Sequence, residues 1–363
     1  MLGYLEFPNW NPVVIDLTWL LPNAALRWYG LTYVISFAFG YAALWFMQRR
    51  GYLRIAADDV VNYMIVGVIG VFAGSRLGEI LFYQFDYTFL SDQPLSERLV
   101  NVLRVWDGGM SFHGGLIGVT LAVLLFSRFR RQNFFNVMDG CTQFMPFGIA
   151  CVRFGNFIGG DLYGRVITDE SGRAIYEGSR LPWYAMKFPT DPEALTLIAR
   201  HVPSDTWRDH NPLPVAPEVW AKVEPFVPGR YPSQLLQMLL EGLLLWFTLI
   251  FLRRYCRKPG MLASLLCVFY GVYRFPVEFL REPDPHLNPS AEGLSNFSAR
   301  VLHALQLTMG QALCVGLFLF GLVMLFYCWR SNGTGMPYSD DELRMRAFTK
   351  KAAPQGAASP AKP

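Results

Sequence analysis

Seven long apolar segments run through this chain, and several of them carry arginine, an acid or histidine where lipid would surround the side chain. The segments cover residues 29–47, about 60–85, 111–127, about 134–158, about 231–252, about 261–280 and 308–329. An α-helix rises 1.5 Å per residue, so about 20 apolar residues cross the ~30 Å hydrocarbon layer of a bilayer. We therefore predict an all-α integral membrane protein with seven transmembrane helices.

Four basic clusters come after alternate apolar segments and indicate the orientation of the chain. They comprise Arg49, Arg50 and Arg54; Arg128, Arg130 and Arg131; Arg253, Arg254, Arg257 and Lys258; and Arg330, Arg344, Arg346, Lys350 and Lys351. Loops rich in lysine and arginine remain on the cytoplasmic side of a membrane. With seven crossings all four clusters fall on that side, which predicts an N-terminus outside and a C-terminus inside.

The predicted domain organisation is simple. Residues 1–330 form one seven-helix membrane domain, and residues 160–230 form a small irregular head on the outer side, between the fourth and fifth spans. The head is rich in proline and tryptophan, which suits a segment seated at the membrane interface. Residues 331–363 are polar and end in an Ala/Pro/Lys-rich run, so we expect a disordered cytoplasmic tail.

Composition excludes several function classes. The net charge of +4 is too small to indicate a nucleic-acid partner. The six cysteines form no CxxC pair and lie mostly in or beside apolar segments, which favours apolar packing over disulfides or metal ligands. We expect neither a metal nor a cofactor.

His113 lies in a glycine-rich stretch at the outer end of the third span, between Asp107 and Gly118. Two Gly pairs let the backbone pack closely around one imidazole. Histidine has a pKa of about 6.5 and can move protons near neutral pH. The alternative is a hydrogen-bonded histidine in a glycine-lined helix contact.

Arg153 and Asn156 lie three residues apart where the fourth span meets the head, and Gly160 and Asp161 come next. Arginine presents a planar fork of donors that matches phosphate oxygens. Asn156 shares its helical face if the helix continues that far, and the glycines allow close backbone approach. The alternative is an interfacial arginine that reaches toward lipid headgroups.

Tyr270, Arg274 and Glu278 are spaced four residues apart in the sixth span and therefore line one helical face. Here the alternative is an ion pair that only holds helices together, and we expect Glu278 to fix and partly neutralise Arg274. Glu241 stands alone in the fifth span and is expected to pair with a hydroxyl or an arginine. Tyr29 begins the first span, where interfacial aromatic residues are common.

These parts suit a reaction in which a C–O bond to phosphate breaks. Two arginines would stabilise the departing phosphate most strongly in the transition state, because its negative charge grows there. A nearby histidine could deprotonate an attacking thiol, whose usual pKa is about 8.5.

Four segments form a pattern known from one enzyme family. They are Arg27-Trp-Tyr29-Gly, the stretch from Arg104 to Gly118 ending in His113-Gly-Gly-Leu-Ile-Gly, Arg153-Phe-Gly-Asn156-Phe-Ile, and Tyr270-Gly-Val-Tyr-Arg274-Phe-Pro-Val-Glu278-Phe. Through these, the chain resembles bacterial phosphatidylglycerol–prolipoprotein diacylglyceryl transferases over nearly its whole length, to about residue 330. The resemblance implies transfer of the diacylglyceryl group of phosphatidylglycerol to the lipobox cysteine thiol of a prolipoprotein signal peptide, with release of glycerol phosphate. It also implies a multi-pass protein of the bacterial inner membrane whose active site faces the periplasm.

The resemblance implies roles for individual residues. His113 is the candidate base, and Arg153 and Arg274 bind and polarise the lipid phosphate. Substrate contacts are expected from Tyr29, Asn156, Gly160, Asp161, Tyr270 and Glu278. Two positions depart from the family pattern: Gly159-Gly160-Asp161 replaces Asn-Gly-Glu, and Tyr231 replaces a histidine before Pro-Ser-Gln.

Two other functions are compatible with arginines inside a membrane. A transporter or flippase for an anionic lipid would use them equally well, but related halves with broken helices are not visible in the sequence. A structural or assembly protein would use buried charges only to lock its helices.

Overall fold

The structure is a computed structural model that describes residues 3–19, 25–53, 55–82, 94, 100, 112–203, 207, 211–282 and 308–331. These residues are mostly helical, with one short antiparallel strand pair, β1 (Val13–Asp16) and β2 (Ala25–Arg27). The chain forms two compact units. The first unit comprises Met1–Phe39, Gln143–Phe251 and Ser264–Leu325, and the second comprises Gly40–Thr142, Leu252–Ala263 and Phe326–Pro363.

Helices lie at each of the predicted apolar segments. The α-helices are α1 (Trp28–Arg49), α2 (Asp59–Phe82), α3 (Phe112–Phe129), α4 (Phe134–Thr142), α5 (Met145–Gly159), α6 (Pro192–Ile198), α7 (Pro217–Val223), α8 (Ser233–Gln237), α9 (Leu245–Leu252), α10 (Met261–Val277) and α11 (Met309–Arg330). A π-helix, Met238–Leu244, joins α8 to α9 without a break. Single 3₁₀ turns occupy Gly178–Arg180, Glu224–Phe226 and Arg253–Tyr255.

The long helices have the length and composition of membrane spans. Within the described residues, four helices are long and apolar enough to cross a bilayer: Trp28–Arg49, Asp59–Leu81, Ser233–Tyr255 and Gly310–Arg330. Shorter apolar helices cover Gly114–Phe129 and Met261–Val277. Large apolar side chains point outward from these helices, as lipid-facing surfaces require. The described fold is therefore that of a helical membrane protein.

The apolar segment at 134–158, predicted as one span, is divided into α4 and α5. The chain turns at Gln143 and Phe144, and α5 begins with Pro146 in its first turn. Proline lacks an N–H and disfavours helical conformation in the residue before it, so it starts a helix more readily than it continues one. The periodic apolar pattern concealed this break.

In the first unit, the residues after α5 form the region predicted as a head. It has short helices and a small apolar core made of Ala194, Ile198, Leu213, Val215, Val223 and Val227. Asp191 is fully buried, caps α6 by accepting from the Glu193 N–H at 2.9 Å, and pairs with Arg230. Arg230 also reaches Glu282 at 3.2 Å, which ties this region to the residues after α10. This region is thus fixed by the buried Arg230–Asp191 ion pair and the exposed Arg230–Glu282 pair as well as by its core.

In the second unit, α2 and α3 are in direct backbone contact along facing glycines. A Cβ atom added to Gly74 would lie 2.4 Å from the Gly114 carbonyl oxygen and 2.6 Å from the Gly118 Cα. A Cβ on Gly114 would lie 2.3 Å from the Gly74 carbonyl oxygen. Such helix contacts are typical of membrane proteins, where small residues let helices approach closely. This contact fixes the first turns of α3, which begin beside His113.

We expect Gly74→Ala to destabilise the protein, because the new methyl group meets backbone atoms that cannot move independently. Overpacking of this kind costs roughly 1–3 kcal/mol. The matched control is Gly67→Ala on the same helix, where an added Cβ meets no atom within 4 Å. Thermal unfolding in detergent measures the difference; equal melting temperatures for the two variants would contradict the close contact.

Candidate active site

Arg274 lies between two carboxylates, one from the π-helix and one from the residue just after α10. Its Nη1 contacts Glu241 Oε1 at 3.3 Å and its Nη2 contacts Glu278 Oε2 at 2.8 Å. The Arg274 side chain is 11% exposed, Glu241 is fully buried, and the Glu278 side chain is 5% exposed. A guanidinium has five N–H donors, so two such contacts use only part of its capacity. The predicted ion pair between Arg274 and Glu278 is confirmed, and Glu241 has the expected arginine partner.

Glu241 reaches this position from the π-helix. A π-helical turn is wider than an α-helical turn and is frequently found at functional sites. The Tyr270 hydroxyl donates to Glu241 Oε2 at 3.4 Å, so α10 supplies a second contact to the same carboxylate. Next to it, a Cβ on Gly242 would lie 2.5 Å from the Ala150 Cβ. The glycine therefore lets the π-helix lie directly against α5.

Arg153 and Asn156 occupy one face of α5, as the spacing predicts, because the helix continues to Gly159. Arg153 Nη1 donates to Asn156 Oδ1 across a long 3.5 Å contact. Arg153 also interacts electrostatically with Glu241 and Tyr270. Arg274 therefore contacts Glu241 directly, and Arg153 lies near enough to interact with the same carboxylate.

The end of α5 is fixed by Gly160 and Asp161. Gly160 ends the helix at a positive φ of 71°, and its carbonyl accepts from Thr190 Oγ1 at 2.5 Å. The Asp161 carboxylate turns back toward Gly159, where an added Cβ would lie 2.8 Å from Oδ2. Although Asp161 reaches the surface, loss of hydration around its carboxylate raises its pKa to about 6, and nearby Arg27 limits the rise. This acid therefore takes up a proton closer to neutral pH than an ordinary aspartate.

Tyr29 lies at the start of α1, beside α5. Its hydroxyl is 3.1 Å from that of Tyr33, and the two rings pack edge to face with centroids 5.3 Å apart. A Cβ on Gly155 would lie 3.2 Å from the Tyr29 Cα, so α1 and α5 are in backbone contact at this point. Tyr33 in turn interacts electrostatically with Arg153. Tyr33 could not be predicted as a site residue, because it carries no signal beyond that of an aromatic residue in a span.

His113 is the second residue of α3, in the second unit. Its side chain lies outside the described residues, so its role as a base stays a prediction. In the part of the chain that the structure describes, no three His, Cys, Asp or Glu side chains form a group that could hold a metal ion.

The position of the Glu278 carboxylate depends on Gly310 of α11 as well as on the ion pair with Arg274. A Cβ on Gly310 would lie 2.3 Å from Glu278 Oε1 and 2.5 Å from its carboxyl carbon. Only glycine leaves room for the carboxylate in this position. Gly310 is therefore a second residue that the sequence analysis did not identify, because a glycine in an apolar helix gives no specific signal.

The long apolar helices and the buried arginine–carboxylate cluster together define an integral membrane protein with a charged site among its helices. The family model described as prolipoprotein diacylglyceryl transferase matches residues 16–327. The chain belongs to this family.

Curated relatives agree with the family match. A phosphatidylglycerol–prolipoprotein diacylglyceryl transferase of Sodalis glossinidius (strain morsitans) is 38% identical over 336 residues, covering 91% of this chain and 97% of the relative. Proteins with the same name from Klebsiella pneumoniae (strain 342) and Yersinia pestis (strain Pestoides F) are each 36% identical over 334 residues. These matches cover 90% of this chain and 96% and 97% of the relatives, respectively. The similarity therefore extends across both units.

We expect Gly310→Ala to lower the rate of the family's transfer reaction by about tenfold or more with little loss of stability. The new methyl group meets the end of a flexible side chain, so the Glu278 carboxylate moves and its contact with Arg274 lengthens. The control is Gly316→Ala, also on α11, where an added Cβ meets no atom within 4 Å. Transfer rates and melting temperatures of the two variants test this; equal rates would show that the Glu278 position is unimportant.

Proposed function

We propose that this protein transfers the diacylglyceryl group of phosphatidylglycerol to the lipobox cysteine of a prolipoprotein, the first step of lipoprotein maturation. The thiol sulfur forms a bond to the glyceryl carbon while the bond between that carbon and the phosphate oxygen breaks. The thiol proton passes to a base, and the electron pair of the broken bond stays on the phosphate. The products are a thioether-linked lipid and glycerol phosphate.

The observation that supports this chemistry most directly is the contact of Arg274 with the buried Glu241 and Glu278, with Arg153 near enough to Glu241 to interact with it electrostatically. With both acids ionised, Arg153, Arg274, Glu241 and Glu278 carry no net charge. The glutamates offset the cost of burying the arginines before the substrate binds. As negative charge grows on the departing phosphate, both guanidiniums can strengthen their hydrogen bonds to it without first being organised.

In this proposal each candidate site residue of the first unit has a defined task. Arg153, whose described hydrogen bond to Asn156 is long, binds the phosphate directly. Arg274 polarises the leaving oxygen while Glu278 fixes its orientation. The other substrate contacts come from Tyr29, Asn156, Tyr270, Gly160 and Asp161. The raised pKa of Asp161 makes its protonation beside an anionic headgroup less costly than that of an ordinary aspartate.

His113 is our candidate for the base that accepts the thiol proton. The proposal rests on the resemblance of its motif to that of the family and on the ordinary pKa of imidazole. It requires the side chain to reach the lipobox thiol when both substrates are bound.

We further propose that the chain crosses the bacterial inner membrane seven times, with the N-terminus outside and the C-terminus in the cytoplasm. The basic clusters of the sequence and the helices at every predicted segment support this topology. Residues 160–230 then form a periplasmic head, the site opens toward the periplasm, and residues 331–363 form a cytoplasmic tail. Phosphatidylglycerol, the prolipoprotein signal peptide and surrounding membrane lipids are the partners, with no nucleic acid involved.

A transfer assay tests the function. Purified protein is incubated with phosphatidylglycerol labelled in its diacylglyceryl group and with a lipobox peptide; the control peptide has serine in place of cysteine. We expect label on the cysteine peptide only, with an equal amount of glycerol phosphate released. Lipid movement between leaflets without a new covalent bond would instead identify a flippase. The absence of both activities would indicate a structural role.

We expect Arg274→Lys to lower the transfer rate by about a hundredfold although it preserves the charge. A lysine ammonium cannot contact Glu241 and Glu278 while also presenting a planar pair of donors to phosphate. Arg200→Lys, at an exposed position of the head, is the matched control. A near-normal rate for the Arg274 variant would contradict the proposed contact with phosphate.

A further inference from the structure

Gln237 is a buried amide without a hydrogen-bond partner among the described residues. The residue is 1% exposed, and neither its Nε2 nor its Oε1 atom meets a protein donor or acceptor in that part of the chain. Leaving a buried polar atom unpaired costs roughly 1–3 kcal/mol, so native structures seldom tolerate it without a reason. An unpaired donor and an unpaired acceptor on one side chain indicate a polar ligand.

The position of Gln237 places it between two parts of the candidate site. It is the last residue of α8, three residues after Gln234 and four before Glu241, and all three side chains are buried. Gln234 Nε2 donates to the Asp161 carbonyl at 2.8 Å, and Glu241 contacts Arg274 on the other side. Residues three and four apart lie on one helical face. Gln237 therefore lies on the face that runs from the end of α5 to the arginine cluster.

An amide is suited to a neutral hydroxylated group rather than to the phosphate itself. It offers two N–H donors and one carbonyl acceptor, so it can donate to one oxygen of a headgroup and accept from a hydroxyl. In the proposed function, Arg153 and Arg274 already bind the negatively charged phosphate. The terminal glycerol of phosphatidylglycerol has two hydroxyls, each of which can donate and accept.

We propose that Gln237 recognises the hydroxyls of the lipid headgroup and so determines which anionic phospholipid is used as donor. This inference rests on the proposed function and assigns Gln237 as a specificity-determining residue of the same site. A headgroup of equal charge that lacks hydroxyls leaves the Gln237 amide unpaired when it binds, and sites built to hydrogen-bond a hydroxyl discriminate strongly against such analogues.

The experiment compares phosphatidylglycerol with phosphatidylpropanol, an anionic analogue without headgroup hydroxyls, as donors in the transfer assay. We expect the wild-type kcat/KM to favour phosphatidylglycerol by at least about tenfold. Gln237→Met, which removes the amide but keeps the volume, should lose most of that preference by slowing reaction with phosphatidylglycerol alone. The control is Gln143→Met, which replaces another buried glutamine of the first unit and should keep the wild-type preference.

Several outcomes would overturn the inference. Equal kcat/KM values for the two lipids with the wild-type protein would overturn it without any variant. It would also be overturned if Gln237→Met lowered kcat/KM for both lipids by the same factor. Gln237→Glu retains an acceptor for the hydroxyl and should keep part of the preference, which provides a second variant if the methionine protein does not fold. Failure of the wild-type protein to modify the peptide would instead refute the proposed function.

Discussion

The contact of Arg274 with two buried carboxylates is the interaction on which the rest of the site depends. Charges removed from water cost several kcal/mol each unless partners compensate for them, so Arg274, Glu241 and Glu278 are stable only together. This requirement explains the local backbone. The π-helix presents Glu241, and Glu278 follows directly after α10. Gly310 leaves space for the Glu278 carboxylate. The site is preorganised because its ionic groups cannot be separated without a large loss of stability.

Glycines set the distances between helices in the first unit. Gly155 allows α1 to approach α5 beside Tyr29, and Gly242 allows the π-helix to lie against Ala150. Lipid offers little hydrophobic drive for helices to associate, so close packing must supply the attraction. In this family member the same glycines also decide how near the polar side chains come to one another. Packing and chemistry are therefore determined by the same positions.

The sequence predicts the helices well and the site in part. Charge-free runs such as 308–329 predict α11 closely, and the four-residue spacing of Arg274 and Glu278 predicts their ion pair. The break between α4 and α5 was missed because proline interrupts a pattern that remains apolar throughout. Gln237 could not be predicted, since its significance comes from the lack of a partner among the described residues, which only three-dimensional packing reveals.

The π-helix between α8 and α9 alters the helix at the fifth predicted span without breaking it. A π-helical turn is the result of inserting one residue into an α-helix without breaking it. The extra residue rotates the N-terminal part of the helix by about 100° relative to the C-terminal part. Ser233, Gln234 and Gln237, which precede the π-helix, and Glu241 within it are all buried. One continuous helix can therefore carry an apolar exterior, with Leu239, Leu244 and Phe247 exposed, together with a row of buried polar groups.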